Sequence, residues 1–494
     1  MTIDDWIDSY REFFLWFDSV VLFYVIALNI FYFAFVFSGW RTVHRYVALR
    51  PMRDYRYVGD STLSLAVTIL VPAYNEEKTI VPAVQALLRT QFNELEVVIV
   101  NDGSTDGTMR VLAEVFTLVP IDRSPRSGLT TKPVRGVHAS VTERRVIVID
   151  KENGGKADSL NVALNYSQYP LVCAIDADTI MDPGALARLV WEFQSDPDIV
   201  ATGGIVRIIN GSSVKGGQIT QVRTPRDILG NIQIVEYLRA FLGGRLAWSR
   251  WNMLLIISGA FGLFRRDVVI SAGGYDSDNV GEDAELVVRI RRQRAEQGLP
   301  CRITFFPDPI CWTEAPSDLA ALVRQRDRWQ RGLGELLIKH RRMTFNPRYG
   351  RIGMLAVPFY WIFEFLEPLI TVTGVTLVAV GFVLGLVDPF TFALMLSLVT
   401  FYGLFISLGV IMMEERAFRR YPNWRDLMHM GLAIFAENFG YRQYLAFVRL
   451  RAILRIRTSK SEWGENVRTG FHDEEFASDE QTRDPATTDP AIRR

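Results

Sequence analysis

Four short stretches, far apart in the chain, combine residue types that suit group transfer from a phosphorylated donor: Asp176-Ala177-Asp178, Ser258-Gly259-Ala260, Gly281-Glu282-Asp283 and Gln325-Arg326-Asp327-Arg328-Trp329. Asp176-Ala177-Asp178 ends an apolar run, and in extended geometry both carboxylates face one side. Two hard oxygen ligands beside a diphosphate suit Mg2+ or Mn2+, which stabilises charge on a leaving nucleoside diphosphate. Gly281-Glu282-Asp283 precedes a helical pattern starting near Ala284. A carboxylate there can take the proton from an attacking hydroxyl, and Asp283 is the candidate. Glu282 and Glu285 also suit the first turn of a helix simply as charges. Gln325, Arg328 and Trp329 sit at i, i+3 and i+4, on one face of a helix. Arg328 offers a planar fork to phosphate oxygens, and Trp329 a surface for the apolar face of a pyranose. Arg324, Arg326 and Arg331 around them read as a basic rim.

Further candidates lie at strand ends. The stretch 71–77 carries Tyr74 and Glu76, and the stretch 101–108 opens with Asn101-Asp102-Gly103. Neither is a dinucleotide fingerprint or a Walker A loop. The acidic side chains suit base imino groups and ribose hydroxyls, and Tyr74 can pack on a base. Either stretch alone would also serve as a capped turn; together they favour a nucleoside pocket. Lys151-Glu152-Asn153-Gly154-Gly155-Lys156 opens a helix. The glycine pair permits close backbone approach, and Lys156 at a helix N-terminus can meet a phosphate.

The elements that must position these residues alternate. Strand patterns at 65–71, 96–100, 146–149 and 171–175 are separated by helical patterns at 80–88, 108–116 and 156–165. Continuous apolar strands between helices predict an α/β fold with a mostly parallel sheet covered on both faces. Ligands then bind beyond the carboxyl ends of the strands, where these motifs fall.

Of 494 residues, 55 are basic and 55 acidic, so no global field recruits nucleic acid. Cys173, Cys301 and Cys311 are too few for a disulfide scaffold, and Cys173 reads as core. The run 20–37 is long enough to span a bilayer, with Asp4, Asp5, Asp8 and Asp18 before it and Arg41, Arg45, Arg50 and Arg53 after it. The positive-inside rule places the chain beyond residue 40 in the cytoplasm. The expected layout is a transmembrane helix in 1–50, a catalytic domain over 54–345, a membrane region over 346–464 and a disordered tail from 465 to 494. Within the membrane region, spans are expected at about 368–386 and 390–413. The stretch 427–448 reads as interfacial or re-entrant, because Glu437 and Arg442 are costly against lipid. The localisation expected is a multi-pass plasma (inner) membrane protein with a cytoplasmic catalytic domain.

The ordered set Asp102, Asp176-Ala177-Asp178, Gly281-Glu282-Asp283 and Gln325-Arg326-Asp327-Arg328-Trp329 resembles the processive family 2 membrane glycosyltransferases. That group contains the cellulose, chitin, hyaluronan and poly-N-acetylglucosamine synthases. The resemblance covers roughly 65–460. It implies a GT-A fold between transmembrane helices, UDP-sugar donors, a divalent metal (Mg2+ or Mn2+) and inversion to a β-linkage. It assigns Tyr74, Glu76, Asp102, Lys156, Asp176, Gln325 and Arg328 to the nucleotide-sugar, and Asp176 with Asp178 to the metal. It assigns Asp283 to catalysis, and Ser258, Gly259, Glu282 and Trp329 to the acceptor. The 437–443 stretch resembles a C-terminal motif of some bacterial members. Two departures stand out: Gly281 replaces the threonine of many members, and the insert 211–251 has no evident role. The implied acceptor is a growing polysaccharide, or alternatively a lipid that receives one sugar. With few spans, export would call for a small membrane partner or a homo-oligomer. A catalytically silent receptor on the same scaffold is the third reading; intact Asp178 and Asp283 argue against it.

Overall fold

The computed structural model describes residues 3–456 apart from 53, 178, 216 and 386. Asp178 and the tail from 465 therefore lie outside the described residues. The strands are β1 (Val67–Ala73), β2 (Leu95–Asn101), β3 (Leu118–Pro120), β4 (Val134–Ser140), β5 (Val146–Lys151) and β6 (Leu171–Ile175). They continue with β7 (Ile180–Met181), β8 (Ile199–Ile208), β9 (Ser213–Lys215), β10 (Gln218–Gln221), β11 (Phe261–Arg265) and β12 (Arg302–Thr313). Ten form one sheet in the order β3-β4-β5-β2-β1-β6-β11-β8-β12-β7.

The centre, β5-β2-β1-β6, is parallel throughout. Strand β11 runs against both neighbours, and β12 runs parallel to β8. Strand β4 and edge strand β7 are antiparallel to their inner partners, and edge strand β3 to β4. Following these pairings, seven strands share one direction and β4, β7 and β11 oppose it. The sheet is mixed but mostly parallel in sense, and its parallel centre is where the expected strands lie. All seven residues of β2 and all five of β6 are buried, as continuous apolar strands covered on both faces must be. Helices Ile80–Leu88, Thr108–Phe116 and Lys156–Tyr166 supply three of the crossovers. Cys173 is buried in this core.

Two helices, Glu12–Leu49 and Ile352–Val383, are long and apolar enough to cross a membrane. The second is interrupted at Leu366, and Pro368 sits in the first turn of the segment that follows, Glu367–Val383. Helix Pro389–Ala417 covers the stretch 390–413 where a further span is expected. The insert 211–251 forms the β9–β10 hairpin, helix Ile228–Leu238, a π-helical turn Arg239–Arg245 and helix Leu246–Arg250. Trp248 of the insert packs on Phe35 and Phe359, with ring centroids 4.9 and 5.1 Å away. The insert therefore joins the sheet to both apolar helices, a role its sequence did not declare. The stretch read as interfacial is a helix pair, Trp424–Ala436 and Arg442–Arg455, bent at Glu437–Tyr441, where Gly440 takes φ 90°. Glu437 is fully buried but bonded to Arg239 and Arg442, so its charge is compensated.

Candidate active site

The loops after β1 and β2 are stitched to each other by short polar contacts. Asn75 adopts φ 55°, a left-handed conformation that asparagine tolerates. Its Oδ1 accepts from Thr105 N at 2.9 Å, and its own N–H donates to the Ser104 hydroxyl at 3.0 Å. Glu76 N donates to the Thr108 hydroxyl at 2.8 Å, and Gly107 N donates to Glu77 at 3.1 Å. Tyr74 stays 45% exposed, while Glu76 is buried and accepts from the Thr79 hydroxyl. Since β1 and β2 are parallel neighbours, their loops emerge side by side on one edge of the sheet.

Asp102 is buried and its carboxylate is already engaged. It accepts from Gly154 N at 2.9 Å, Gly155 N at 2.8 Å and Lys151 Nζ at 2.5 Å. Whatever it does toward a nucleoside, this carboxylate holds the glycine loop in place, with Gly155 at φ 86°. That loop delivers Lys156 to the head of its helix.

Lys156 reaches a cluster of carboxylates. Its Nζ lies 2.5 Å from Asp176 Oδ1 and 3.4 Å from Glu282 Oε1. Burial pulls its pKa down, but Asp176, Glu282 and Asp283 outweigh burial and hold it above the ordinary lysine value. Burial pushes Glu282 up to about 7; Lys156 opposes the rise, and Asp283 and Asp176 add to it. A cavity of about 10 Å³, roughly one water in size, is lined by Lys156, Ser258, Gly259, Tyr275, Glu282 and Asp283. Gly259 has no side chain for a steric reason: a Cβ there would stand 3.0 Å from Asp283 Oδ2 and 3.4 Å from Lys156 Nζ. Asp283 Oδ1 accepts from Ala284 N at 2.8 Å, at the head of helix Glu282–Glu296.

Helix Leu319–Lys339 carries Gln325, Arg328 and Trp329, and is capped by Asp318, which accepts from Ala321 N at 2.8 Å. It meets the loop ahead of helix Glu282–Glu296 backbone to backbone. A Cβ at Gly332 would lie 3.0 Å from Gly281 N, so the glycine at 332 is what permits this approach; a Cβ at Gly281 would meet Gly332 Cα at an ordinary 3.5 Å. Glu335 also accepts from Val280 N at 3.0 Å. Gln325 Oε1 is buried with no hydrogen-bond partner among the described residues, an acceptor left for a ligand. Trp329 is 45% exposed.

Glu285 is not a simple first-turn charge. It is fully buried and meets Arg289 at 2.8 Å, Lys339 at 2.8 Å and His340 at 3.1 Å. Burial would raise its pKa; the bonds from His340, Arg289 and Lys339 win and lower it to about 2.

The basic-rim reading fails for Arg326. Its side chain is largely buried, 2.5 Å from Glu236 of the insert, with its guanidinium 4.4 Å from the Trp329 ring centroid. Tyr441 donates to the same Glu236 at 3.3 Å. Arg331 pairs along its own helix with Asp327. No spacing rule links Glu236, Arg326 and Tyr441, because they are 90 and 205 residues apart in their pairings.

Lys156, Asp176, Ser258, Gly259, Glu282 and Asp283 thus share one centre, with the Trp329 helix docked beside it. Tyr74, Glu76 and Asp102 occupy neighbouring strand ends. This sheet, with acidic strand-end loops and carboxylates at the head of a following helix, fits a glycosyltransferase fold of GT-A type. Residues 68–271 match the model for "Glycosyl transferase family 2", and 171–408 the model for "Glycosyl transferase family group 2". Residues 68–271 thus carry a family 2 glycosyltransferase domain, and the second match extends the likeness to residue 408.

It is similar to the poly-beta-1,6-N-acetyl-D-glucosamine synthase of Staphylococcus aureus, 28% identical over 274 residues, covering 55% of this chain and 56% of that one. The Staphylococcus epidermidis enzyme of the same name is 27% identical over 278 residues, with the same coverage. The chain spans about half the length of the curated relatives it matches. Among solved structures, a mannosyltransferase from Pyrobaculum calidifontis in complex with GDP-Man and Mn2+ aligns at 20% identity and TM-score 0.47. That alignment covers 84% of this chain and 99% of the other. S. aureus TarS 1-349 in complex with UDP-GlcNAc aligns at 16% and TM-score 0.38, covering 77% and 92%.

Proposed function

We propose that this chain is an inverting, UDP-sugar-dependent hexosyltransferase that extends a β-linked polysaccharide at a membrane, with N-acetylglucosamine as the first donor sugar to test. The single observation that supports this most is the packing of Gly259 against Asp283 and Lys156. It sets a proton acceptor and a phosphate-seeking cation on either side of one small cavity. Likeness to the poly-N-acetylglucosamine synthases suggests the sugar.

In this reading Tyr74, Glu76 and Asp102 form the nucleoside end. Lys156 and Arg328 contact the diphosphate, and Gln325 Oε1 accepts from a sugar hydroxyl. Ser258, Gly259 and Glu282 border the acceptor, whose terminal ring stacks on Trp329. Asp283 removes the proton of the acceptor hydroxyl as that oxygen bonds to the donor's anomeric carbon. The bond from that carbon to the diphosphate oxygen breaks on the opposite face, UDP leaves with the electron pair, and configuration inverts. Asp176 ends its strand with a partly exposed hard-oxygen donor, a fit for Mg2+ or Mn2+ alongside Asp178 and the diphosphate. Such an ion, when bound, would neutralise charge on the departing UDP. The apolar helices would place the site at the cytoplasmic face of a multi-pass protein of the plasma membrane.

The test uses the full chain in detergent with Mg2+ or Mn2+, offered UDP-N-acetylglucosamine, UDP-glucose and UDP-glucuronate singly and in pairs. UDP release and product size are read, with Asp283→Asn as the control. A long product abolished in the control supports the reading. A product extended by one sugar replaces it with single transfer to a lipid acceptor, and no UDP release with any donor overturns both.

A further inference from the structure

Three segments that are distant in sequence converge behind Trp329. Helix Ile228–Leu238 of the insert contributes Glu236, the Trp329 helix contributes Arg326, and the C-terminal bend contributes Tyr441. Arg326 lies over the indole ring, 4.4 Å from its centroid, and its Nη2 bonds to Glu236 Oε2 at 2.5 Å. The Tyr441 hydroxyl donates to that same Oε2 at 3.3 Å. Ahead of Tyr441, Phe439 and Gly440 leave helical geometry. The bend is held by Glu437, which Arg239 grips with both terminal nitrogens and Arg442 approaches at 2.7 Å.

An exposed tryptophan with nothing behind it has several rotamers, and each would present a different plane to a sugar. A guanidinium fixed over the ring removes that freedom by cation–π attraction and by planar stacking. The stack is only as fixed as the arginine, and Glu236 and Tyr441 fix it. Here the ion pair is also shielded: the Arg326 and Glu236 side chains are 11% and 23% exposed.

Resting on the acceptor role of Trp329 given above, we propose that Arg326, Glu236 and Tyr441 are positioning residues. They set the plane of Trp329, and so make acceptor retention depend on the bend at Glu437–Tyr441. The insert and the C-terminal stretch thereby decide how firmly a growing chain is held between additions.

The experiment measures three quantities on the full-length protein in detergent. They are binding of a tetramer of β-1,6-linked N-acetylglucosamine by calorimetry, KM and kcat for that tetramer in UDP release, and product length. Arg326→Lys keeps the ion pair with Glu236 but removes the planar stack; it is expected to weaken tetramer binding and raise KM about fivefold to tenfold, with unchanged kcat and Tm. Glu236→Gln is expected to match it, and Tyr441→Phe to raise KM about twofold to threefold, both with shorter products. If Arg326→Lys binds the tetramer like the parent, or if kcat and Tm fall while KM holds, the three residues are structural and the proposal is overturned. Tetramer binding by the parent that Trp329→Ala leaves intact sinks the acceptor role itself, and the positioning role with it. A parent that binds the tetramer but releases no UDP breaks the transferase reading alone, and the binding series still decides this one.

Discussion

The proposed donor edge and the proposed acceptor side of this molecule are assembled by different means. At the donor edge, the loops 74–77 and 103–108 leave adjacent parallel strands and bond to each other within a few residues of the strand ends. On the acceptor side, helix Glu282–Glu296, helix Leu319–Lys339, the insert and the C-terminal bend come from four parts of the chain. Close backbone approach at Gly281 and Gly332, and buried ion pairs at Glu285 and Glu236, hold them together. The difference teaches that the proposed nucleotide end is built from contacts between two adjacent strand-end loops. The proposed acceptor side is built from contacts between segments far apart in the chain.

The sharpest test of that contrast is Asp283→Asn. It should lower sugar transfer by about a thousandfold, the scale of losing a general base, while Tm stays within a degree or two. UDP release against time measures it, and transfer within tenfold of the parent would remove Asp283 from the chemistry. Next comes Lys156→Ala. Loss of a buried cation facing three carboxylates and a diphosphate should cut kcat/KM for the donor about a hundredfold, with KM for the acceptor unmoved. An equal rise in both KM values would erase the boundary between the two halves.

Gly259→Ala places a methyl 3.0 Å from the Asp283 carboxylate. Displacing the base by a few tenths of an ångström should slow kcat by about tenfold or more, with UDP binding preserved. Titration of UDP by calorimetry alongside turnover separates the two effects, and lost UDP affinity would place Gly259 on the donor edge.

Glu285 tests the packing of the acceptor side through pH. Its folded-state pKa, about 2, lies below the ordinary 4.5. The stabilisation is therefore complete above pH 4.5 and fades as pH falls toward 2, and it amounts to about 3 kcal/mol. Glu285→Gln should lower Tm at pH 7 and flatten the loss of Tm between pH 5 and 3. Parallel melting curves for parent and variant across that range would show that the Lys339 and His340 contacts contribute nothing.

Asn75→Gly is expected to have the smallest effect. Glycine accepts the left-handed backbone but loses the bond to Thr105 N, so KM for the donor should rise about twofold to fourfold. A rise in acceptor KM instead would couple the two sides more tightly than their separate construction implies.

Much of this is legible in the residues alone. The strand pattern at 171–175 and the helices at 80–88 and 108–116 recur at the same bounds, because a buried parallel strand must be apolar throughout and a covering helix must be amphipathic. The carboxylates at 176 and 283 and the lysine at 156 stand out because each follows a strand or opens a helix. Asp102 reads as a ligand contact, and nothing in its surroundings along the chain announces that two glycine N–H groups and Lys151 occupy it. Arg326 reads as surface charge because a helical wheel gives a side chain's angle but not its neighbour.

By itself, then, the amino-acid sequence determined the parallel centre of the sheet, the apolar helices and the residue types of the reacting centre, since each depends on periodicity or on position relative to a strand end. Tertiary structure alone decided that Gly259 and Gly332 are contact points, that Glu285 is a buried clamp, and that Glu236, Arg326 and Tyr441 meet behind Trp329. Those facts depend on which segments touch. Contacts across 90 or 205 residues follow from how helices and the sheet pack against one another, and no local pattern of residues encodes that packing.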